Sequence, residues 1–564
     1  MRVRTLVVFV AVSVGAIGLA PLGAGATGGL TLSGLSPVSG PVGTSVVLTG
    51  TGLRSGDVVR FNGTAAQFAT ANKAGTHLTA SVPPMATSGA VTVTDYLTGG
   101  TVGLPGAGFT VTTGVLVSPK KLWPGGNTTI VGSALSPNSI DAIHLGHALI
   151  GEGRTDASGN FLDRVVLPWT TTPGLATVTV NDAVAGPLNF GITIVASWPE
   201  YRSDSFGSAD NPFESALSSA TVGKLTEHWN DSTETHSSMA VAAGRVYYGA
   251  ENTSVFFPPS YFVATDAVSG NNLWATSTSC NEGSAFATPT VANGVMYGVD
   301  PCGEVVALNA YSGAALWSTF PGCGFFSSAN PFSSPAVVGG ILYVGGIGTN
   351  CGYDFFALDT STGSVVWKTT GSASVGSSPV VANGVVYYTS SDGHLYARNA
   401  TTGGLLWSQL ANGDTLSSPT IDGGLVLSNS GKTVNARNAS SGALVWSHAI
   451  PGDVSAAAVA GGSVFVRSDN GHLYALKATT GAQIWAAVTS DASLSPPAVG
   501  GGVVYVESFA LNRVYGLDAS TGAMVWSVNF GLQFDWYTPA ISGDLVFFVG
   551  AYQQTANEPR AYGL

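Results

Sequence analysis

Apolar and polar residues alternate in short runs along most of the chain, with the period of two that marks half-buried β-strands rather than helices. Many runs come in pairs around Asn-Gly or Gly-Gly, as in SSPVVANGVVYYTS (377–390) and SSPTIDGGLVLSNS (417–430). Such turns need positive φ at both central residues, so each pair predicts a hairpin. A second kind of module follows each hairpin and ends in tryptophan, as in GHLYARNATTGGLLW (393–407) and GHLYALKATTGAQIW (471–485). Copies of it end at Trp274, Trp317, Trp367, Trp407, Trp446, Trp485 and Trp526, and each has glycine four residues earlier.

Successive tryptophans are 43, 50, 40, 39, 39 and 41 residues apart, the period at which β-propeller blades recur. One unit is therefore four strands, with the glycine in the second hairpin turn and the tryptophan on the outermost strand. An eighth upstream hairpin, YTPAISGDLVFFVG (537–550), is followed only by a third strand that breaks off at RAYGL (560–564). Its missing outer strand is VGKLTEHW, ending at Trp229, 45 residues before Trp274. The expectation is an all-β chain whose eight-bladed propeller is closed by N- and C-terminal strands sharing one blade, which removes the open edges. A residue repeated in every blade follows the architecture, so the eight tryptophans are expected to pack between blades rather than stack on a cofactor.

The repeats resemble the quinoprotein-type, tryptophan-docking repeat family found in PQQ-dependent dehydrogenases and in a bacterial outer-membrane assembly scaffold lipoprotein. WPEYRSDSFGSADNP (198–212) resembles the entry segment that often precedes such propellers. Upstream, LSGLSPVSGPVGTSVVLTGTGL (32–53) and the later Val-Pro-Pro resemble an IPT/TIG domain, an immunoglobulin-like sandwich. VSPKKLWPGGNTTIVGSAL (117–135) and the strands after it repeat that plan loosely, and their short alternating runs predict a second sandwich. The expected domains are a signal peptide at 1–26, the IPT/TIG domain at 27–113, a second Ig-like sandwich at 114–196 and the propeller at 197–564.

Composition narrows the function. Only 9% of the 564 residues are charged and the net charge is −12, with no basic stripe of the kind that nucleic acid or an anionic membrane requires. Arg2 and Arg4, the apolar run from Leu6 to Ala20 and the triplet Ala24-Gly25-Ala26 read as a cleaved secretory signal. The run is shorter than the roughly 20 apolar residues of a membrane span, so a secreted or cell-surface protein without its own transmembrane anchor is expected.

Four cysteines, Cys280, Cys302, Cys323 and Cys351, are an even number in an exported chain, which favours disulfides over zinc. Three connectivities are possible, and repeat symmetry selects Cys280 with Cys302 and Cys323 with Cys351, since each pair occupies the same two connections of successive blades. That face also collects the longest loops. They carry Phe256, Phe257, Phe325, Phe326, Phe332, Trp536 and Tyr537, either as anchors for a partner or as covers for the blade ends.

Catalytic signals are missing: there is no Gly-x-Ser-x-Gly elbow, His-Glu-x-x-His helix, P-loop or calcium loop. His394 and His472 begin equivalent strands of different blades, His144 and His147 lie in the second sandwich, and Asp359 and Asp518 sit in turn positions. No catalytic or metal-binding residue is assigned. The reading is an exported non-enzymatic binding or scaffold protein with a protein or carbohydrate partner at the cell envelope and no expected cofactor. The resemblance implies an alternative, a dehydrogenase binding PQQ with calcium, although the adjacent cysteines common in alcohol-oxidising members are absent here. Polysaccharide binding is a further alternative.

Overall fold

The computed structural model describes residues 29–564 except 206, 215, 232, 234, 236, 252–259, 281–286, 322–332, 347–352, 372, 412–416, 490–494, 509–510, 530–536 and 552–556. The proposed signal peptide lies outside the described residues. The chain is all-β, and among the described residues the helical structure is a single 3₁₀ turn, Val222–Lys224.

Two sheets, of four and five strands, enclose the first core, built around Leu48, Phe61, Leu78, Val93 and Phe109. Two more, of three and five strands, enclose a second around Ile130, Ile143, Phe161 and Val180. Eight further sheets follow, seven of four strands and one of five. Their innermost strands are Ala240–Ala242, Thr290–Ala292, Ala336–Val338, Val380–Ala382, Thr420–Asp422, Ala458–Ala460, Ala498–Gly500 and Ala540–Ser542. Each touches the next, and the last touches the first, so the sheets form a ring. The eighth sheet takes its outer strand, Thr226–Asn230, from far upstream; it pairs antiparallel with Asn557–Gly563.

What joins neighbouring sheets is the repeated tryptophan. Seven of the eight indoles pack on the glycine of the next sheet's second hairpin, and their N–H groups donate to a carbonyl beside it: Trp229 to Ala267, Trp274 to Ala310, Trp317 to Thr360, Trp367 to Ala400, Trp407 to Ala439, Trp446 to Ala478 and Trp485 to Ala519, at 2.8–3.1 Å. Gly442 illustrates why that position is glycine. Its φ is +72°, and a Cβ there would lie 2.8 Å from the Trp407 ring. Tyr247, Tyr343 and Tyr387 donate to the same carbonyls as Trp274, Trp367 and Trp407. Trp526 differs, because the third and outer strands of the eighth sheet are not joined by a hairpin. It stacks on Phe548 instead, with ring centroids 6.1 Å apart.

The second unit is docked on one end of this ring, over turns between the first and second strands. Trp123 packs against Gly244 and Gly543 and donates its indole N–H to Ser542 Oγ at 2.9 Å. Lys121 pairs with Asp544. Trp169 meets Tyr311 edge-on at 5.8 Å, and the Tyr311 hydroxyl donates to the Gly125 carbonyl.

Gly442→Ala is expected to destabilise the ring by about 2–4 kcal/mol, combining left-handed backbone strain with displacement of the indole. Trp407→Phe, which keeps an aromatic ring but loses the donor, should cost only about 1–2 kcal/mol. Differential scanning calorimetry of both variants checks the order; a smaller effect for Gly442→Ala would contradict the docking account.

Candidate functional site

The chain enters the ring through residues 198–214, which cross one mouth of the central channel and bond to each of the eight innermost strands. Trp198 exchanges two backbone hydrogen bonds with Val241, at 2.6 and 2.7 Å. The amides of Val291, Val381, Val459 and Val499 donate to the carbonyls of Pro199, Ser205, Ser208 and Ala209 at 2.7–2.8 Å. The Val337 amide donates to the Glu200 carboxyl. Arg202 reaches Thr420 Oγ1 at 2.8 Å, and Asn211 Nδ2 donates to the Ile541 carbonyl at 2.8 Å. This segment thus supplies partners for inner-strand groups that face no further strand.

The conformation is not a relaxed one. Arg202 and Ser203 have φ of +59° and +78°, which non-glycine residues adopt only where their surroundings enforce it. The enforcing contacts are the Arg202 carbonyl, which accepts from the amides of Asp204 and Ala209 at 3.0 Å, and the Ser203 hydroxyl, which donates to the Asp210 carbonyl at 2.9 Å.

The segment also gathers charge in a low-dielectric place. Burial, and then the neighbouring Asp204, push the Glu200 carboxyl up to about 8 and that of Asp210 up to about 7. Burial pulls the Arg202 guanidinium down. Two cavities flank the Asp204–Asp210 bridge. One of about 380 Å³ lies against Trp169, Pro173, Phe213 and the turn at Asn293, and one of about 420 Å³ against Asn383, Asp422 and Gly461.

A second set of polar groups ties the inner strands directly to one another. The amides of Thr288, Ser334 and Ser378 donate to the hydroxyls of Ser334, Ser378 and Ser418, at 2.9–3.0 Å. The Thr538 amide donates to Ser238 Oγ at 2.9 Å, closing the seam between the eighth sheet and the first. The repeated Ser-Ser-Pro at the head of three hairpin modules is the sequence signal that marks Ser334, Ser378 and Ser418.

Of the cysteines, Cys280 and Cys302 form a disulfide with Cα atoms 5.6 Å apart; Cys323 and Cys351 lie outside the described residues. So do Phe256, Phe257, Phe325, Phe326, Phe332 and Trp536. Tyr537 is half-buried against the core of the ring. The strands flanking these loops end on the face opposite the docked second unit, because turns between second and third strands and crossovers to the next sheet share one end of an up-and-down sheet. His394 packs beside Tyr396 and His472 beside Tyr474, each within its own sheet. His144 Nδ1 accepts from Asn181 Nδ2 in the second unit. Asp359 and Asp518 cap turns: hydroxyls of Ser361 and Ser520 hold their carboxyls low, that of Asp518 at about 2.

An all-β ring of repeated four-stranded sheets, joined by indoles docked on glycines, defines a tryptophan-docking propeller-like protein. The family model described as outer membrane protein assembly factor BamB matches residues 216–355, 303–457 and 430–548, more than half of the chain, and the chain belongs to this PQQ-like repeat family. It is 33% identical to the outer membrane protein assembly factor BamB of Salmonella typhimurium over 118 residues, 20% of this chain and 29% of that protein. It is 34% identical to that of Escherichia coli over 114 residues, 19% of this chain and 28% of that protein. The chain thus spans less than a third of the length of these curated relatives. In fold it is similar to a europium-containing methanol dehydrogenase, with TM-score 0.53 and 12% identity over 65% of this chain and 98% of the other. A quinohemoprotein alcohol dehydrogenase from Comamonas testosteroni gives TM-score 0.55 and 13% identity over 65% of this chain and 80% of the other. Among the described residues no three of His, Cys, Asp or Glu converge on a common point, and the bonded Cys280 and Cys302 are 22 residues apart in sequence.

The buried carboxyls make a pH prediction. Glu200 titrates near 4.5 when unfolded and near 8 when folded, so between these values the folded chain holds a proton that the unfolded chain releases. Stability therefore falls as pH rises through that window and levels off above it. Asp210 acts in the same direction between 3.8 and about 7. The melting temperature of Glu200→Gln is expected to decline less steeply than that of the parent between pH 5 and pH 8; equal slopes would show that Glu200 is ionised in the folded chain.

Proposed function

We propose that this is an exported, non-enzymatic binding or scaffold protein of the cell envelope. In this reading the ring at 197–564 is an eight-bladed propeller whose last blade is completed by Thr226–Asn230. The two units before it are an IPT/TIG domain at 27–113 and a second immunoglobulin-like sandwich at 114–196, which follow a signal peptide at 1–26. The observation that carries the reading is the occupancy of the ring's ends. Residues 198–214 and the second unit already cover one mouth, so a macromolecular partner has the opposite, loop-bearing face to engage. Loops on a rigid scaffold are the usual seat of recognition, and the assembly-factor family supports a protein partner there. The aromatic residues Phe256, Phe257, Phe325, Phe326, Phe332, Trp536 and Tyr537 are its anchors in this proposal, and a Cys323–Cys351 disulfide would brace the third blade as Cys280–Cys302 braces the second. Polysaccharide is the other partner class that exposed aromatics suit.

A PQQ-dependent dehydrogenase is the second reading, favoured by the fold likeness to two alcohol-oxidising enzymes. The two are separated by titrating PQQ into residues 27–564 at constant calcium while following melting temperature and dye-linked alcohol oxidation. Neither stabilisation nor turnover is expected. In parallel, alanine at Phe325, Phe326 and Trp536 should lower retention on envelope fractions by about tenfold or more, as for hot-spot anchors, with the melting temperature unchanged. Saturable stabilisation by PQQ with turnover would replace the scaffold reading by the dehydrogenase.

A further inference from the structure

The second unit contains a buried pair of like charges that its own side chains do not neutralise. Strand Ile140–Leu145 pairs antiparallel with Gly174–Asp182, and Ala142 faces Asn181, so Asp141 stands opposite Asp182. Both are buried, at 0% and 5% exposure. Like charges directly opposite one another weaken a sheet, and a buried ion without a counter-ion costs several kcal/mol. Among the described residues, no Lys, Arg or His forms an ion pair with either.

Asp182 is well supplied with donors. Its Oδ1 accepts from the amides of Val184 and Ala185 at 3.0 and 2.6 Å, and its Oδ2 from the Ser136 amide at 2.6 Å. Burial pushes this carboxyl up, but the amides outweigh it and hold it below the usual range, as an anion. Asp141 is different. Its Oδ1 accepts from Ser139 Oγ at 2.8 Å, while its Oδ2 is buried and has no partner; the Ser136 hydroxyl beside the pair is buried and helps hold the Asp182 carboxyl low. Burial is the main cause pushing the Asp141 carboxyl up, and the Asp182 charge adds to it.

We propose that Asp141, Asp182 and the Ser136 hydroxyl form a calcium-binding site in the second unit. The donors are all hard oxygens, which suit calcium or magnesium rather than a transition metal. Two carboxylates match a divalent charge. Calcium is favoured over magnesium because its coordination is flexible and it sheds water readily, whereas magnesium retains several waters that this buried corner would have to admit. The ion gives the orphaned Asp141 oxygen a partner and turns the like-charge pair from a cost into a clamp. It ties segment 136–139 to both strands, next to the seam where Thr113 Oγ1 donates to the Ala134 carbonyl at 2.7 Å and Asn160 Nδ2 to the Ala86 carbonyl at 3.4 Å. Calcium therefore stiffens the junction between the first two units.

The test is calcium titration of chelator-treated 27–564 by isothermal calorimetry, with hydrogen exchange of segment 134–139 followed in the same samples. One calcium per chain is expected, with slower exchange in that segment. Asp141→Asn keeps shape and volume and should lower affinity by about 100-fold, and Ser136→Ala by about tenfold. Asp300→Asn, at another buried carboxyl in the ring, should leave binding unchanged. No binding by the parent up to about 10 mM calcium, some tenfold beyond the weak end of extracellular sites, would overturn the proposal and leave a proton shared by the two carboxyls. Undiminished affinity in both Asp141→Asn and Ser136→Ala would overturn it by placing the ion elsewhere, and the Ser136 variant decides the matter should Asp141→Asn not fold.

Discussion

Seven of the eight ring indoles lie on a glycine of the next sheet and hand their N–H to a carbonyl beside that glycine. The contact works only in one direction and only between neighbours, so repeating it turns separate four-stranded sheets into a ring. It combines a large apolar surface with a satisfied donor, and the glycine is needed twice over, for its positive φ and for the absence of a Cβ. A single sheet of this kind would expose its faces and both edges. Stability here belongs to the joints more than to the sheets, as in other repeat architectures.

The ring's joints leave two problems, and the structure answers them with different chemistry. The seam between the eighth sheet and the first is closed by a strand from upstream and by the Thr538 to Ser238 hydrogen bond. The inner strands have polar groups facing the axis, and residues 198–214 cross the mouth to meet them in each sheet. That crossing explains why a short segment contains a buried arginine, two carboxyls pushed up by burial and three left-handed non-glycine residues, Arg202, Ser203 and Ala209. The segment is stitched to so many sheets that its local strain is outweighed. The second unit then rests on the same end of the ring through Trp123, Trp169 and Lys121, which leaves the two ends of the ring unlike: one covered, the other carrying the Cys280–Cys302 disulfide.

Much of the ring was legible from sequence because its rules are local. Period-two alternation, Asn-Gly and Gly-Gly turns and the fixed spacing from Gly442 to Trp446 are properties of neighbouring residues, and their repetition told strand order and sheet size. The link between Trp229 and the C-terminal strands could be read because the interrupted repeat left one strand over upstream and a last unit one strand short. Candidate sites were far less legible. The Ser-Ser-Pro hydroxyls look like ordinary strand residues until the next sheet is placed against them, and WPEYRSDSFGSADNP shows no period that would reveal a segment crossing eight strands.

By itself the sequence determined the all-β class, the repeat length, the tryptophan and glycine positions and the pairing of Cys280 with Cys302, since each depends on spacing along the chain. Tertiary structure alone decided that Trp123 seats the second unit on the turns at Gly244 and Gly543, that burial pushes the Glu200 and Asp210 carboxyls up, and that Asp141 faces Asp182 across a buried strand pair. Those depend on which surfaces meet in space and on how much water is left between them, and neither distance nor dielectric is written in the order of residues.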